Sequence, residues 1–242
     1  MSGIDILGIF AHPDDAELCA GGTFLKEIQS GKTAAIVDLT RGELGTRGTA
    51  DIRKKEAQEG AALLGVSSRD NLGLSDGFFT ATESAILAVV ERIRHYKPTL
   101  VITNTLYDRH PDHAKAADLV KQAAFLSGLV KIETRDRENK AQQSPWRPER
   151  LFYTIQAYDQ KPDIIVDIST TFHQKIAAMQ AFQTQFFVGE KSKSGSQTFI
   201  STPTFLQFVE GRARDFGTQV GVEYGEGFVC ETIPSPASLF DV

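Results

Sequence analysis

Short, uninterrupted apolar runs alternate with helix-length amphipathic stretches through the first half of this chain. IDILGIF (4–10), TAAIVDL (33–39) and TLVITN (99–104) are the runs. A strand buried on both faces reads as such a run, whereas a strand with one wet face alternates apolar and polar residues. Between them, residues 16–30 end at Gly31, residues 51–64 at Gly65, and residues 83–96 before Lys97-Pro98. Residues 114–127 place Ala116, Leu119, Ala123 and Leu126 at helical spacing and stop at Gly128. This βαβα order specifies an α/β fold: a mostly parallel sheet with helices on both faces.

After residue 130 the pattern loosens. Residues 131–149 are polar and charged, with Pro145 and Pro148 near their end, and read as an exposed excursion. Strands are expected at 151–158 and 163–169, then helices at 171–183 and 204–216, with Pro203 opening the second helix. GEKSKSGSQ (189–197) has the composition of a mobile loop. No repeat and no linker divides the chain, so 1–242 reads as one domain. Residues 1–130 carry the motifs below, and 131–242 add strands, helices and substrate-side loops.

Composition removes several classes of function. Lys and Arg number 26 against 31 Asp and Glu, a net charge of −5, which leaves no basic footprint for nucleic acid or an anionic membrane. No apolar run approaches the roughly 18 residues of a spanning helix. The N-terminal MSGIDILGIFAHPDD lacks the basic start of a secretory signal. The two cysteines, Cys19 and Cys230, form neither a CxxC nor a disulfide framework. A reducing, cytoplasmic setting is the expectation.

Two short motifs carry the chemistry. His12-Pro13-Asp14-Asp15 follows the first strand, and His110-Pro111-Asp112-His113 follows the 99–104 strand after a short loop. The residue before a proline is driven extended, and the proline suits the first helical position. Each leading His is then the last extended residue, with the residue three positions on one turn inside a helix. Residues three apart share a helix face, so His12 with Asp15, and His110 with His113, can point into one cleft. Doubly wound sheets bind ligands at the carboxyl ends of adjacent strands flanking the crossover, which is where both motifs fall.

Imidazoles and a carboxylate suit Zn²⁺, and three protein ligands leave a catalytic position open. His12, Asp15 and His113 are the expected ligands; Fe²⁺ fits the same donors. Asp14 is the candidate general base toward a metal-bound water. His110, if protonated, stabilises an oxyanion or protonates a leaving amine. Asp112 is placed to hydrogen-bond a histidine and fix its tautomer. Three of the five histidines fall in these motifs, while His95 and His173 lie within helices and read as structural. Gly21-Gly22 lacks a phosphate-loop pattern and reads as close helix–sheet packing. Cys19 reads as a small buried hydrophobe.

AHPDDAELCAGGT and DRHPDH (108–113) resemble the PIG-L/LmbE-like superfamily of metal-dependent N-acetylglucosamine de-N-acetylases. TRGELGTRGTADIRKKEA (40–57), LGLSDG (72–77), KPDIIVDIS (161–169) and QVGVEYGEGF (219–228) are similar to its bacillithiol-pathway branch, which deacetylates N-acetylglucosaminyl malate. The resemblance implies a Rossmann-like three-layer fold, one Zn²⁺ on His12, Asp15 and His113, Asp14 as base, and a supporting role for His110. It also implies substrate contacts from Arg53 and Arg109, for which the carboxylates of malate suit the planar guanidinium fork. Glu43, in the family-like RGE, either binds a sugar hydroxyl or orders its loop. Homo-oligomers, often hexamers, are implied as well, and sixteen phenylalanines would allow an apolar interface.

The expected reaction is hydrolysis of an N-acetyl group from a small amino-sugar substrate. A broader N-acetylglucosamine or chitooligosaccharide deacetylase and a thiol-conjugate amidase are alternatives in the same superfamily. Outside it stand a non-haem iron oxygenase, which also uses two histidines and a carboxylate, and a non-catalytic sugar-binding module with a structural metal.

Overall fold

A computed structural model of the chain describes residues 3–189, 196–235 and 238. Most of the 189–197 segment lies outside the described residues. Seven strands form one sheet: β1 (Ile6–Phe10), β2 (Ala34–Thr40), β3 (Ser68–Leu74), β4 (Leu100–Thr103), β5 (Arg150–Thr154), β6 (Ile164–Asp167) and β7 (Gly225–Cys230). Six helices accompany them: α1 (Asp15–Gln29), α2 (Ala50–Leu64), α3 (Glu83–Tyr96), α4 (Pro111–Leu126), α5 (Phe172–Gln180) and α6 (Pro203–Val220). The sheet order is β3-β2-β1-β4-β5-β7-β6. Strands β1 to β5 are parallel, and β7 runs antiparallel to both its neighbours.

Strand β1 lies between β2 and β4, with Ile6 opposite Ala34 on one side and Leu100 on the other. Its five residues are all buried, as its continuous apolar run requires. On one face Leu7, Ile9, Val37 and Val101 pack against Val90 and Ile93 of α3 and Leu119 and Val120 of α4. On the other, Ile6, Phe10 and Ile36 pack against Ala20 and Phe24 of α1 and Ala178 of α5. The expected three layers are present. Among the described residues no helix is long and apolar enough to cross a membrane.

Local signals set the helix ends. Thr49, Thr82 and Thr202 accept hydrogen bonds from Ile52, Ala85 and Phe205 N–H groups, capping α2, α3 and α6. Pro111 and Pro203 open α4 and α6. Gly65 closes α2 in the left-handed region, at φ +78°. Gly22 is close packing, as expected: a Cβ there would lie 2.8 Å from Ile168.

The 131–149 segment is anchored rather than a free excursion. Buried Arg94 donates to the carbonyls of Ser127, Leu129 and Ile132, and to Thr134 Oγ1. His95 Nδ1 pairs with Asp136 at 2.6 Å, and Trp146 Nε1 donates to Pro98 O. Long polar side chains on α3 therefore hold down a segment whose own composition is polar.

A buried charge cluster ties β2, β3 and α1 together. Arg69 on β3 forks onto Asp38 at 2.8 and 2.9 Å and reaches Glu17 of α1 at 2.5 Å. All three side chains are at most 7% exposed. Burial alone would lower the Arg69 pKa, but the two carboxylates outweigh it and keep the guanidinium charged.

Candidate active site

The switch from leftward to rightward winding falls between β1 and β4, and both motifs sit at the carboxyl ends of those strands. His12 follows β1 and His110 caps α4, so residues a hundred positions apart meet. The His12 and His110 ring centroids are 4.7 Å apart, and those of His110 and His113 are 4.9 Å apart.

Asp15 stands between two histidines. Its carboxylate oxygens lie 3.4 Å from His12 Nδ1 and 3.3 Å from His113 Nε2. Donors on one tetrahedral ion with bonds of roughly 2.0–2.1 Å sit about 3.3 Å apart, close to each of these two spacings. The other ring nitrogen of each histidine faces a carboxylate: His12 Nε2 meets Asp76 at 3.1 Å and Asp112 at 3.5 Å, and His113 Nδ1 lies 3.3 Å from Asp108. Carboxylates behind imidazoles are the usual support for metal ligands. Amides hold Asp15 itself, with Asn104 Nδ2 3.1 Å from one oxygen and Gln156 Nε2 2.9 Å from the other.

Other donor combinations overlap this one. One nitrogen each of His12, His110 and His113, or one atom each of His12, Asp76 and Asp112, lie within 4.8 Å of one another. All three carboxylates also accept hydrogen bonds elsewhere: Asp76 from Leu44 N–H, Asp112 from Gly77 N–H and Lys115, and Asp15 from His12 N–H, Asn104 and Gln156. His12 Nδ1 and His113 Nε2 each face one oxygen of Asp15.

Electrostatics support a cation here. Burial would push both histidines down, yet the surrounding carboxylates hold His12 well above its ordinary range and His113 at about 9. Burial would likewise raise Asp15, but His113 and His12 keep it well below the usual carboxylate range. The pocket thus stabilises positive charge beside Asp15, whether carried by protons or by an ion, and the residues fit a divalent metal.

Asp14 occupies a different environment. It precedes α1 with φ +117°, in a region few side chains adopt. Burial raises its pKa to about 7, and the Arg53 guanidinium 2.8 Å away only partly offsets this. A carboxylate poised near neutrality suits proton transfer.

His110 is held low enough to favour the neutral ring over the protonated form considered from sequence. Burial and the neighbouring His12 and His113 depress it to about 4. Its Nδ1 accepts from the Asp112 N–H at 3.3 Å, so the hydrogen-bond network assigns the proton to Nε2. An Nε2–H can still donate to an oxyanion.

The structure bears on three further sequence expectations. Arg53 is buried, and its terminal nitrogens already bond Pro13 O, Asp14 and Gly42 O, so it offers no free fork to a substrate carboxylate. Only its Nε lacks a partner among the described residues. Glu43 accepts from Arg41 and Asp76 N–H groups and orders its loop, away from the cavity wall. Asp112 is one of two carboxylates on His12, and Asp76 is the nearer. Arg109 behaves differently. It is exposed at the rim, 5.1 Å over the Phe199 ring, with no ion pair among the described residues.

The motifs open onto a cavity of about 500 Å³. Arg212, which no sequence motif singles out, borders it 4.6 Å over the Phe208 ring. Cys19 and Lys175 also line it. His95 and His173 lie outside it.

Residues 7–124, which span both motifs, match the PIG-L family, GlcNAc-PI de-N-acetylase. Over 98% of both chains, the protein is 33% identical to a conserved protein from Thermus thermophilus of known structure, with a TM-score of 0.83. This chain belongs to the PIG-L family. It is also similar to the diacetylchitobiose deacetylase of Thermococcus kodakarensis, 29% identical over 75% of this chain and 70% of that protein. A probable N-acetyl-alpha-D-glucosaminyl L-malate deacetylase 2 of Bacillus anthracis is 28% identical over 75% of this chain and 81% of its own length. Both histidine motifs of this chain lie within the segment on which family membership rests.

Proposed function

We propose that this chain is a Zn²⁺-dependent deacetylase that removes the N-acetyl group from a glucosamine-containing small molecule, N-acetylglucosaminyl malate being the first candidate. Similarity to deacetylases of diacetylchitobiose and of N-acetylglucosaminyl malate supports the substrate class. It also sets aside the oxygenase and the non-catalytic readings. The observation that carries the mechanism is the placement of Asp14, held by Arg53, with the His12, Asp15 and His113 donors in the lining of one cavity.

Zn²⁺ would be held by His12, Asp15 and His113, and supplies Lewis acidity and a water of lowered pKa. Asp14 accepts the proton of the attacking water, with Arg53 holding its carboxylate in place. His110 Nε2–H donates to the developing oxyanion, a contact whose removal costs about 10²–10³ in rate in comparable sites. The amine leaves after gaining a proton, and acetate is the second product. Arg109 is the rim cation available to an anionic aglycone.

Amine release from N-acetylglucosaminyl malate, diacetylchitobiose and N-acetylglucosamine tests this reading, each assayed as purified, after chelation and after Zn²⁺ is returned. Turnover lost on chelation and restored by Zn²⁺ is expected, greatest with the malate conjugate. Absence of amine from every substrate in the Zn²⁺-loaded protein would overturn it.

Asp108→Ala removes the carboxylate behind His113. Cation affinity is expected to fall about 10–100-fold, measured by competition against a metal-binding dye. An unchanged affinity would mean that Asp108 does not orient the imidazole.

A further inference from the structure

The cavity continues past the metal-binding cluster. Helix α6 faces it with Phe205, Val209, Ala213 and Phe216, a stripe about 16 Å long on one helix face. Opposite, Leu18 and Cys19 of α1 lie one turn beyond Asp15. The cavity's volume of about 500 Å³ is shared by the acyl group, the sugar and what the sugar carries.

A neutralised pair also lines the cavity. Lys175 Nζ lies 2.6 Å from Glu226 Oε1, and both side chains are at most 6% exposed. Glu226 also accepts from the N–H groups of Gly22 and Thr23 and from Thr23 Oγ1. From Asp15 to Gly22 along α1 is about 10 Å. Leu18, Cys19, Ile155, Val209, Ala213 and Phe216 make an apolar part of the cavity lining, with Gln156, Gln185 and Arg212 among its polar residues.

We propose that this apolar part is an acyl subsite, and that the enzyme hydrolyses N-acyl glucosamines with chains longer than acetyl, butanoyl and hexanoyl among them. This rests on the deacetylase reading and extends it to the acyl group. Water's oxygen bonds to the carbonyl carbon, the C–N bond breaks, the nitrogen takes a proton, and amine and carboxylate leave. No redox partner is needed. Each methylene buried in the transition state raises kcat/KM by up to about fourfold, the equivalent of about 0.8 kcal/mol.

The test compares amine release from N-acetyl-, N-butanoyl- and N-hexanoylglucosamine by the metal-loaded wild type, Ala213→Leu and the milder Ala213→Val. Thermal melting checks that each variant is folded. The wild type is expected to prefer the longer chains, and Ala213→Leu to lower the hexanoyl-to-acetyl ratio of kcat/KM by about tenfold, with Ala213→Val between them. Release from the acetyl substrate alone would overturn the acyl subsite while leaving the deacetylase reading intact. A ratio unmoved by both variants would place the chain elsewhere and also overturn it. No amine from any of the three, while N-acetylglucosaminyl malate still yields amine, would overturn the acyl subsite alone.

Discussion

Asp14→Asn is expected to keep the fold and the bound cation and to lower kcat by about 10²–10⁴, the contribution of a positioned general base. Asparagine suits the backbone at this position, where φ is +117°, because its short polar side chain tolerates left-handed conformations better than most residues do. Its amide oxygen can still accept from Arg53, and the residues facing the cation are untouched. What disappears is the capacity to take a proton. Elemental analysis and kcat measured on the same preparation decide it. A near-normal kcat with full metal content would move the base elsewhere. Loss of metal along with activity would show that Asp14 holds the site together rather than serving the reaction.

Arg69→Ala is expected to destabilise the protein by about 3–5 kcal/mol, because it leaves Asp38 and Glu17 buried without their shared cation. Burial already pushes Glu17 above its ordinary pKa despite Arg69, and one of its oxygens has no hydrogen-bond partner among the described residues. Losing Arg69 forces proton uptake or water entry between β2, β3 and α1. Arg69→Lys should recover only part of the loss, since an ammonium cannot fork onto Asp38 as the guanidinium does. Denaturant unfolding at neutral pH measures both variants. A shift below about 1 kcal/mol for Arg69→Ala, far under the cost of an uncompensated buried charge, would mean that the two carboxylates find other partners.

The central strands and the two histidine motifs were readable because each carries its own local signal. β1, β2 and β4 are continuous apolar runs, and His-Pro-Asp places a strand end and a helix start within three residues. β3 escaped notice because Arg69, Asp70 and Asn71 make it polar, as an edge strand can be. β7 begins Gly-Glu-Gly, which reads as a turn. Those glycines are required by packing instead: a Cβ at Gly225 would lie 2.6 Å from Ile165, and one at Gly227 would lie 2.9 Å from the Phe216 ring.

At the site, the residues that face Asp15 followed from spacing, as did Asp112 behind His12, and the other supports did not. Asp76, Asn104 and Gln156 come from separate loops, and only the assembled sheet brings them to His12 and Asp15. Arg53 shows the opposite limit. Its identity invites a carboxylate ligand, but the carbonyls of Pro13 and Gly42 and the Asp14 carboxylate occupy it first.

The placement of β7 between β5 and β6 constrains the order in which the molecule can assemble. Among the described residues β6 has one neighbour in the sheet, and that neighbour is the last strand described. During synthesis from the N-terminus, β1 to β5 can pair as they emerge, each beside a strand already made. β6 must wait, with its edge unpaired, until α5, α6 and β7 have followed it. The sheet is therefore completed in a single late event, when a C-terminal strand enters the gap and brings β6 in with it.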